Sequence, residues 1–301
     1  MRRTLSDLKP TCLWLEALPR DPTFRGSSFE VPVATAAVRR DPERPDTGYL
    51  TLLHFVNDHD TLYALLEGLS ERLRPHGVRT LVGPTHLLPQ LGSGALSSHW
   101  QLPPPADTPY GPPYAPEHLG ALMSPTDTLN LFHLDTFQAA PGGADVSLRA
   151  LEPQRLTGDL LPLLQTAFSA PDFPSPDAAE TRAILRWLTP RRPFGFLAAL
   201  PGAPDTPVGL ALLYPDDAFR YRLPRRETYN RTGRLWGGVL PAFRRQGIGR
   251  ALLGAALAAA RARGWDSLSV GPVPRNGDVD TFLQACGGVW RQGYTLYRTG
   301  L

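Results

Sequence analysis

The sequence predicts an α/β protein made of two similar halves, each a mixed central sheet flanked by helices. Three observations lead there. A length of 301 residues suits two domains of roughly 100–200 residues each. From about Asp145 onward, strand and helix signals alternate, with hairpins set apart from helices as in a layered α/β domain. A strand–helix–strand passage in the first half also returns, in the same order, in the second.

In the first half, Tyr49–Phe55 reads as a strand and Leu62–Pro75 as a helix. His76-Gly-Val-Arg-Thr-Leu-Val-Gly-Pro84 then parallels Arg263-Gly-Trp-Asp-Ser-Leu-Ser-Val-Gly-Pro272, with one residue inserted in the strand, and Leu65-Leu66 aligns with Leu252-Leu253. The proline-rich stretch Leu102–Pro116 is expected to be a connecting loop ahead of a helix near Glu117–Leu122. Small residues from Gln138 to Ala144 suit a linker, which sets domains at 1–142 and 143–301.

The second half opens with a strand over Asp145–Leu151 and a helical segment over Pro153–Ala170, with Leu156, Leu160, Leu163 and Leu164 on one side. A helix over Asp177–Leu188 follows Ser175-Pro176, a cap with proline at the first helical position. Phe194–Leu200 and Val208–Tyr214 are strands joined by a turn. Arg234–Leu240 is a strand, Gly247–Arg263 a helix, and Ser267–Val270 a strand. Ile248, Ala251, Leu252, Ala255 and Ala259 are expected to form the buried face of that helix.

Composition removes several function classes. With 42% apolar and 20% charged residues the chain is an ordinary soluble one. Its longest apolar run, Ala251–Ala260, falls short of the roughly 20 residues a membrane span needs. Met1-Arg2-Arg3 has no apolar segment behind it before Glu16, so a cytoplasmic location is expected, with no membrane partner. Cys12 and Cys286 give neither a disulfide framework nor a zinc spacing, and no metal is expected. Thirty of the basic residues are arginine and only Lys9 is lysine. A phosphate-binding Walker loop and a pyridoxal Schiff base both need a placed lysine, so both are disfavoured. The net charge of +3 is too small to imply nucleic acid. It divides into −4 over residues 1–142 and +7 over 143–301. All seven histidines, His133 the last, lie in the first half without ligand spacing.

The segment Val239-Leu-Pro-Ala-Phe-Arg-Arg-Gln-Gly-Ile-Gly-Arg-Ala-Leu-Leu253 carries the chemistry. A strand ends, a basic turn follows, and a helix begins at Gly247 and Gly249. Helix N-termini offer unpaired N–H groups and partial positive charge, which suits a pyrophosphate. Arg244, Arg245 and Arg250 add charge-assisted contacts. A Rossmann loop would need a third glycine where Leu252 stands.

The pattern Val-x-Pro-x-x-Arg-x-x-Gly-x-Gly-x-Ala-Leu closely resembles motif A of the GNAT superfamily of acyl-CoA N-acyltransferases. The repeat makes the layout similar to tandem members such as mycothiol synthase. The resemblance implies two tandem GNAT-like domains and acetyl-CoA as co-substrate. It implies that Arg244, Arg245, Gln246, Gly247, Ile248, Gly249 and Arg250 hold the coenzyme pyrophosphate, and that Gly238 and Val239 pair with its pantetheine arm. The Val239 N–H would polarise the thioester carbonyl as an oxyanion donor. The family's second motif matches at Asn276, also expected at the coenzyme, and at Gly287; Leu283 stands at the usual tyrosine, the family's general acid, and Gly288 at the phenylalanine.

The expected reaction is direct attack by an amine of a small molecule or peptide in a ternary complex, in a monomer or homodimer. The alternative is a non-catalytic acyl-CoA-binding or regulatory protein. Asp216, Asp217, Glu227 and Glu180 are the carboxylates that could serve as base through water, Glu227 the first of them to consider, and each also reads as a solvated surface charge. The arginine- and aromatic-rich insert Tyr214–Arg231 is expected to be an exposed hairpin, or else an acceptor-recognition element. In the first half, Asp58 and Asp60 stand where Arg245 and Gly247 stand in the second, and two carboxylates would repel a pyrophosphate. The first domain is therefore expected to be degenerate and non-catalytic.

Overall fold

A computed structural model of the chain describes residues 12–17, 33–40, 44–86, 92–102, 104–105, 108, 111–138, 142–151, 160, 163–165, 178–216 and 231–301. Contacts divide the chain into two units: residues 1–100, 108–129 and 293–301 in the first, and 101–107 and 130–292 in the second. Composition places one boundary after residue 142; the units instead interleave along the chain. The cause is strand pairing near the C-terminus. Tyr297 to Gly300 pair antiparallel with Gly83 to Thr80, and the Leu301 N–H donates to Arg79 O. This covers a strand edge that would otherwise present unpaired backbone groups.

The first unit contains β1 (Cys12–Ala17), β2 (Ala34–Arg40), β3 (Thr47–Phe55), α1 (His59–Leu73), β4 (Thr80–Thr85), β5 (Ala95–Leu96), α2 (Ala115–Leu122) and the start of β6 (Ser124–Asp135). β1, β2 and β3 form an antiparallel meander, whereas β3 and β4 are parallel. A parallel pair needs a crossover, and α1 supplies it. Leu62, Leu65, Leu66, Leu69 and Leu73 recur at helical spacing along α1 and are its buried residues. Tyr297 joins this core, and its hydroxyl donates to Pro116 O at 3.1 Å.

The second unit holds the rest of β6, then β7 (Ser147–Leu151), α3 (Ala178–Leu188), β8 (Phe194–Ala199), β9 (Pro207–Pro215), β10 (Thr232–Val239), α4 (Ile248–Ala262), β11 (Ser267–Pro274), α5 (Asp278–Ala285) and the start of β12 (Val289–Gly300). Its strand order is β6-β11-β10-β9-β8-β7. β7 to β10 are antiparallel, and β10 and β11 are parallel across α4. The two crossover helices, α1 and α4, each have 15 residues, and the Gly83–Pro84 and Gly271–Pro272 bonds are both cis.

The buried face of α4 is Ile248, Leu252, Leu253, Ala256, Leu257 and Ala260. Ala251, Ala255 and Ala259 are only half-buried, contrary to the expected face. The leucines bury more apolar area per residue than the alanines, so they set the rotation of the helix. β11 runs four residues beyond the expected Val270. The segment expected as a helix over Pro153–Ala170 lies mostly outside the described residues, although Leu160, Leu163 and Leu164 within it are buried.

Replacing Tyr297 by Ala should lower the unfolding free energy by about 3–5 kcal/mol. A urea titration would read this as a shifted midpoint at similar slope. A loss under about 1 kcal/mol would contradict a core role for this C-terminal ring.

Candidate functional site

β10 is bonded to β9 from Gly233↔Pro215 to Val239↔Gly209, but to β11 only from Thr232↔Ser267 to Arg234↔Ser269. Beyond Arg234 the two parallel strands run on without pairing. The Leu240 N–H donates to Val208 O at 2.9 Å, on the β9 side. Amides alternate along an extended strand, so the Val239 N–H turns to the opposite, unpaired edge. Gly238 O lies beside Gly209 of β9.

After a 3-10 turn at Pro241–Phe243 the chain passes through left-handed backbone at Arg245 (φ 61°) and Gly247 (φ 81°). Such a conformation is unstrained for glycine and costs an arginine. α4 starts at Ile248, and its cap residue Gly247 makes no side-chain capping bond. The N–H groups of Arg250 and Ala251 both donate to Gly247 O at 3.1 Å, which closes the first turn. Earlier N–H groups of a helix have no helical acceptor.

The corresponding start of α1 is closed differently. The Asp58 carboxylate accepts from the Thr61 N–H at 2.8 Å and also from the Thr61 hydroxyl. Those bonds hold its carboxyl below the usual carboxylate range. The first unit thus satisfies its own helix end with a negative side chain.

Around the α4 loop, Arg244 Nε donates to Val239 O at 3.1 Å and Gln246 Nε2 to Ala242 O at 3.4 Å. Arg245 forms an exposed ion pair with Asp278 at 3.1 Å. Asn276, with φ 61°, donates its N–H to the Asp280 carboxylate at 3.1 Å. Asp280 is buried and also accepts from Asn130 Nδ2 and Gln284 Nε2, each at 2.8 Å. Burial pushes the Cys286 thiol up, and the Arg250 guanidinium beside it pulls the other way. Leu283 is buried in the core, so the position resembling the family's tyrosine offers no hydroxyl.

The residues read as a linker do more than connect. A Cβ on Gly247 would sit 2.9 Å from the Ala144 nitrogen, and one on Gly143 would sit 2.6 Å from the Ala251 nitrogen. Gly143 therefore belongs to the wall of the α4 loop, a role the Gly-Gly pair could have signalled. Glu227 and Asp217 lie outside the described residues, as does nearly all of the arginine-rich insert.

Asp216 and Glu180 are buried rather than solvated, at 4% and 7% exposure. Asp216 accepts from Ser269 Oγ at 3.5 Å, and its N–H donates to Thr232 O. Arg234 is fully buried at the last paired rung of β10, where it donates to Ser269 Oγ at 3.3 Å and to Gly271 O at 2.6 Å. His133 belongs to this unit, not to the first half where its number places it. Its neighbours Phe132 and Leu134 enter the α4 core, so strand alternation sends His133 to the other face of the sheet. There Arg291 Nη1 lies 3.4 Å from its Nδ1. Burial first, then the Arg291 and Arg234 charges, depress the His133 pKa to about 3. Sequence order gives no sign that Arg234, Ser269, His133 and Arg291 meet, because strand neighbours at such separations share no motif. Among the described residues, no group of His, Cys, Asp and Glu could hold a metal ion, and no helix is long and apolar enough to cross a membrane.

Residues 159–287 match the Acetyltransferase (GNAT) family. The matched stretch holds α3, β8 to β10, the α4 loop and α5. No curated protein matches the chain. Among solved structures it is similar to a tandem GNAT protein from the clavulanic acid biosynthesis pathway, at 15% identity over 97% of this chain and 84% of that one, with a TM-score of 0.57. It is also similar to a GCN5-related N-acetyltransferase from Sphaerobacter thermophilus, at 15% identity over 90% and 78% of the two chains, with a TM-score of 0.54. At such identities the likeness is one of fold, and the fold is that of a tandem GNAT protein.

Because His133 titrates below its unfolded value, the unfolded chain takes up the proton first on acidification. The stability from burying the neutral ring is complete above about pH 6.5 and drains as pH falls toward 3. Denaturation measured across that range should show the loss, and His133→Gln should flatten it. An equal slope in the variant would contradict the burial.

Proposed function

We propose that the chain is an acetyl-CoA-dependent N-acetyltransferase, with an active second domain built around α4 and a degenerate, non-catalytic first domain built around α1. The observation that carries this reading is the contrast between the two crossover helices. α4 begins at an uncapped glycine beside an unpaired strand edge, while α1 begins under its own carboxylate. An exogenous pyrophosphate suits the first arrangement and is repelled by the second.

In this reading Arg244 to Arg250 bind the pyrophosphate, the backbone of Gly238 and Val239 and the side of Asn276 border the rest of the coenzyme, and the Val239 N–H stabilises the oxyanion. The coenzyme supplies an activated acetyl thioester. An acceptor amine with pKa near 10.4 must first lose a proton, at a cost of about 4–5 kcal/mol near pH 7. His133, with a pKa of about 3, is far too weak a base to hold that proton. A carboxylate acting through water takes it, and Glu227 is the residue to test. The leaving thiolate has an acidity near that of cysteine, about 8.5, so it departs without the missing tyrosine.

Leu283 favours a second reading, in which the protein binds acyl-CoA without turning it over. Thioester turnover across a panel of amines separates the two, because persistent binding with no turnover would select the second.

Calorimetry should find one acetyl-CoA site per chain, at micromolar affinity, about −8 kcal/mol. Gly249 lies within the helix, and a Cβ there would only touch the Phe282 ring at 3.6 Å. Gly249→Asp should therefore keep the fold, as judged by circular dichroism, and abolish binding. Unchanged affinity in the folded variant would refute the phosphate-loop assignment. The double change Asp58→Ala with Asp60→Gly should leave the stoichiometry at one. Two sites in the unaltered protein would overturn the degenerate first domain.

A further inference from the structure

On the sheet face away from α4, the second unit gathers two arginines around a neutral histidine. Arg234 from β10, His133 from β6 and Arg291 from β12 are close enough for both arginines to act on the imidazole. The charge on Arg234 is well provided for, with Ser269 Oγ, Gly271 O and a path through Ser269 to the buried Asp216. Arg291 differs. It is half-buried, which already disfavours its charged form, and its hydrogen-bond partner is the His133 ring at 3.4 Å. It forms no ion pair among the described residues.

The donor inventory sharpens this. A guanidinium has five N–H donors and no acceptor, so it donates to His133 Nδ1. The neutral imidazole then carries its proton on Nε2, which is a second donor. The pair presents donors and positive charge, and what it lacks is an acceptor with negative charge. An oxyanion supplies both, and the planar fork of arginine suits a carboxylate or a phosphate bidentately.

We infer that Arg291 and His133 form an oxyanion subsite in the second unit, and that the amine acetylated there carries an anionic group. The subsite stands on geometry alone; its assignment to an acceptor rests on the acetyltransferase reading. Position supports the assignment. Arg234 and Ser269 form the last rung before β10 and β11 part, and contacts of Gly271 with Asn130 and Leu131 and of Asp266 with Thr136 bracket His133 beside that rung. An anionic group on Arg291 would thus leave its amine near the parted strands. A peptide lysine flanked by neutral residues would gain nothing from this pair, whereas an amino acid or amino phosphate would.

The test uses full-length protein labelled with 13C in its histidine rings, with the His133 signal assigned by its loss in His133→Gln. Acetate and, separately, inorganic phosphate are titrated in at constant ionic strength. The expected result is a saturable shift at His133 with at least one of the two anions, the tighter one identifying the group. Arg291→Lys should retain the shift with weaker affinity, and Arg291→Gln should weaken it at least tenfold. A His133 signal that ignores both anions, or responds equally in Arg291→Gln, overturns the subsite. Acetyl transfer to amino acids is then compared with transfer to their amides. A KM at least tenfold lower for the carboxylates, collapsing in Arg291→Gln, supports the acceptor assignment, and equal KM values overturn it. Should acetyl-CoA fail to bind while the anion shift persists, the acetyltransferase reading falls and the subsite stands.

Discussion

Pairing between β10 and β11 stops at Arg234 and Ser269, and the proposed coenzyme site depends on that interruption. A parallel pair that continued to Val239 would use every backbone donor on the shared edge. Because it stops, Val239 keeps an N–H turned outward beside the helix that starts at Ile248. Arg234 makes the interruption possible by tying the two strands together at the last rung through Ser269 and Gly271 O. A buried arginine is tolerated there because its donors meet acceptors, the condition under which interior charge persists.

The two repeats show how little is needed to change what a helix terminus can do. α1 and α4 have equal length and equivalent positions between parallel strands, yet one begins with Asp58 and the other with Gly247. A side-chain carboxylate at the cap satisfies the helix from within and rejects other anions. A glycine in left-handed backbone has no side chain to offer, so the end stays open. The close approach of Gly143 and Ala144 adds a further wall to that opening and explains why small residues are needed in what reads as a linker.

Interleaving of the units redistributes residues that sequence order had kept apart. The C-terminal Tyr294 and Tyr297 belong to the first unit, where Tyr297 packs in the core and bonds Pro116. The Tyr294 hydroxyl likewise donates within that unit, to Thr108 Oγ1 at 3.4 Å. In exchange, β6 brings His133 and Asn130 into the second unit, where Asn130 holds Asp280 and His133 faces Arg291.

The sequence by itself determined what depends on near neighbours: the strand–turn–helix passage, the repeat, the glycines of the loop, and the acidic residues that close the first copy. These are local matters of capping, backbone freedom and helical spacing, and each leaves a pattern in a short stretch of chain, which the repeat presents twice. It did not determine the rotation of α4, where Leu253 and Leu257 outweigh the alanines. Nor did it reveal the burial of Asp216 and Glu180, or the meeting of His133 with Arg291 across 158 positions. Those follow from which strands lie side by side, and pairing is decided by the closure of sheet edges over the whole chain. Local chemistry was legible in the sequence, and the company each charged residue keeps was settled only by the tertiary fold.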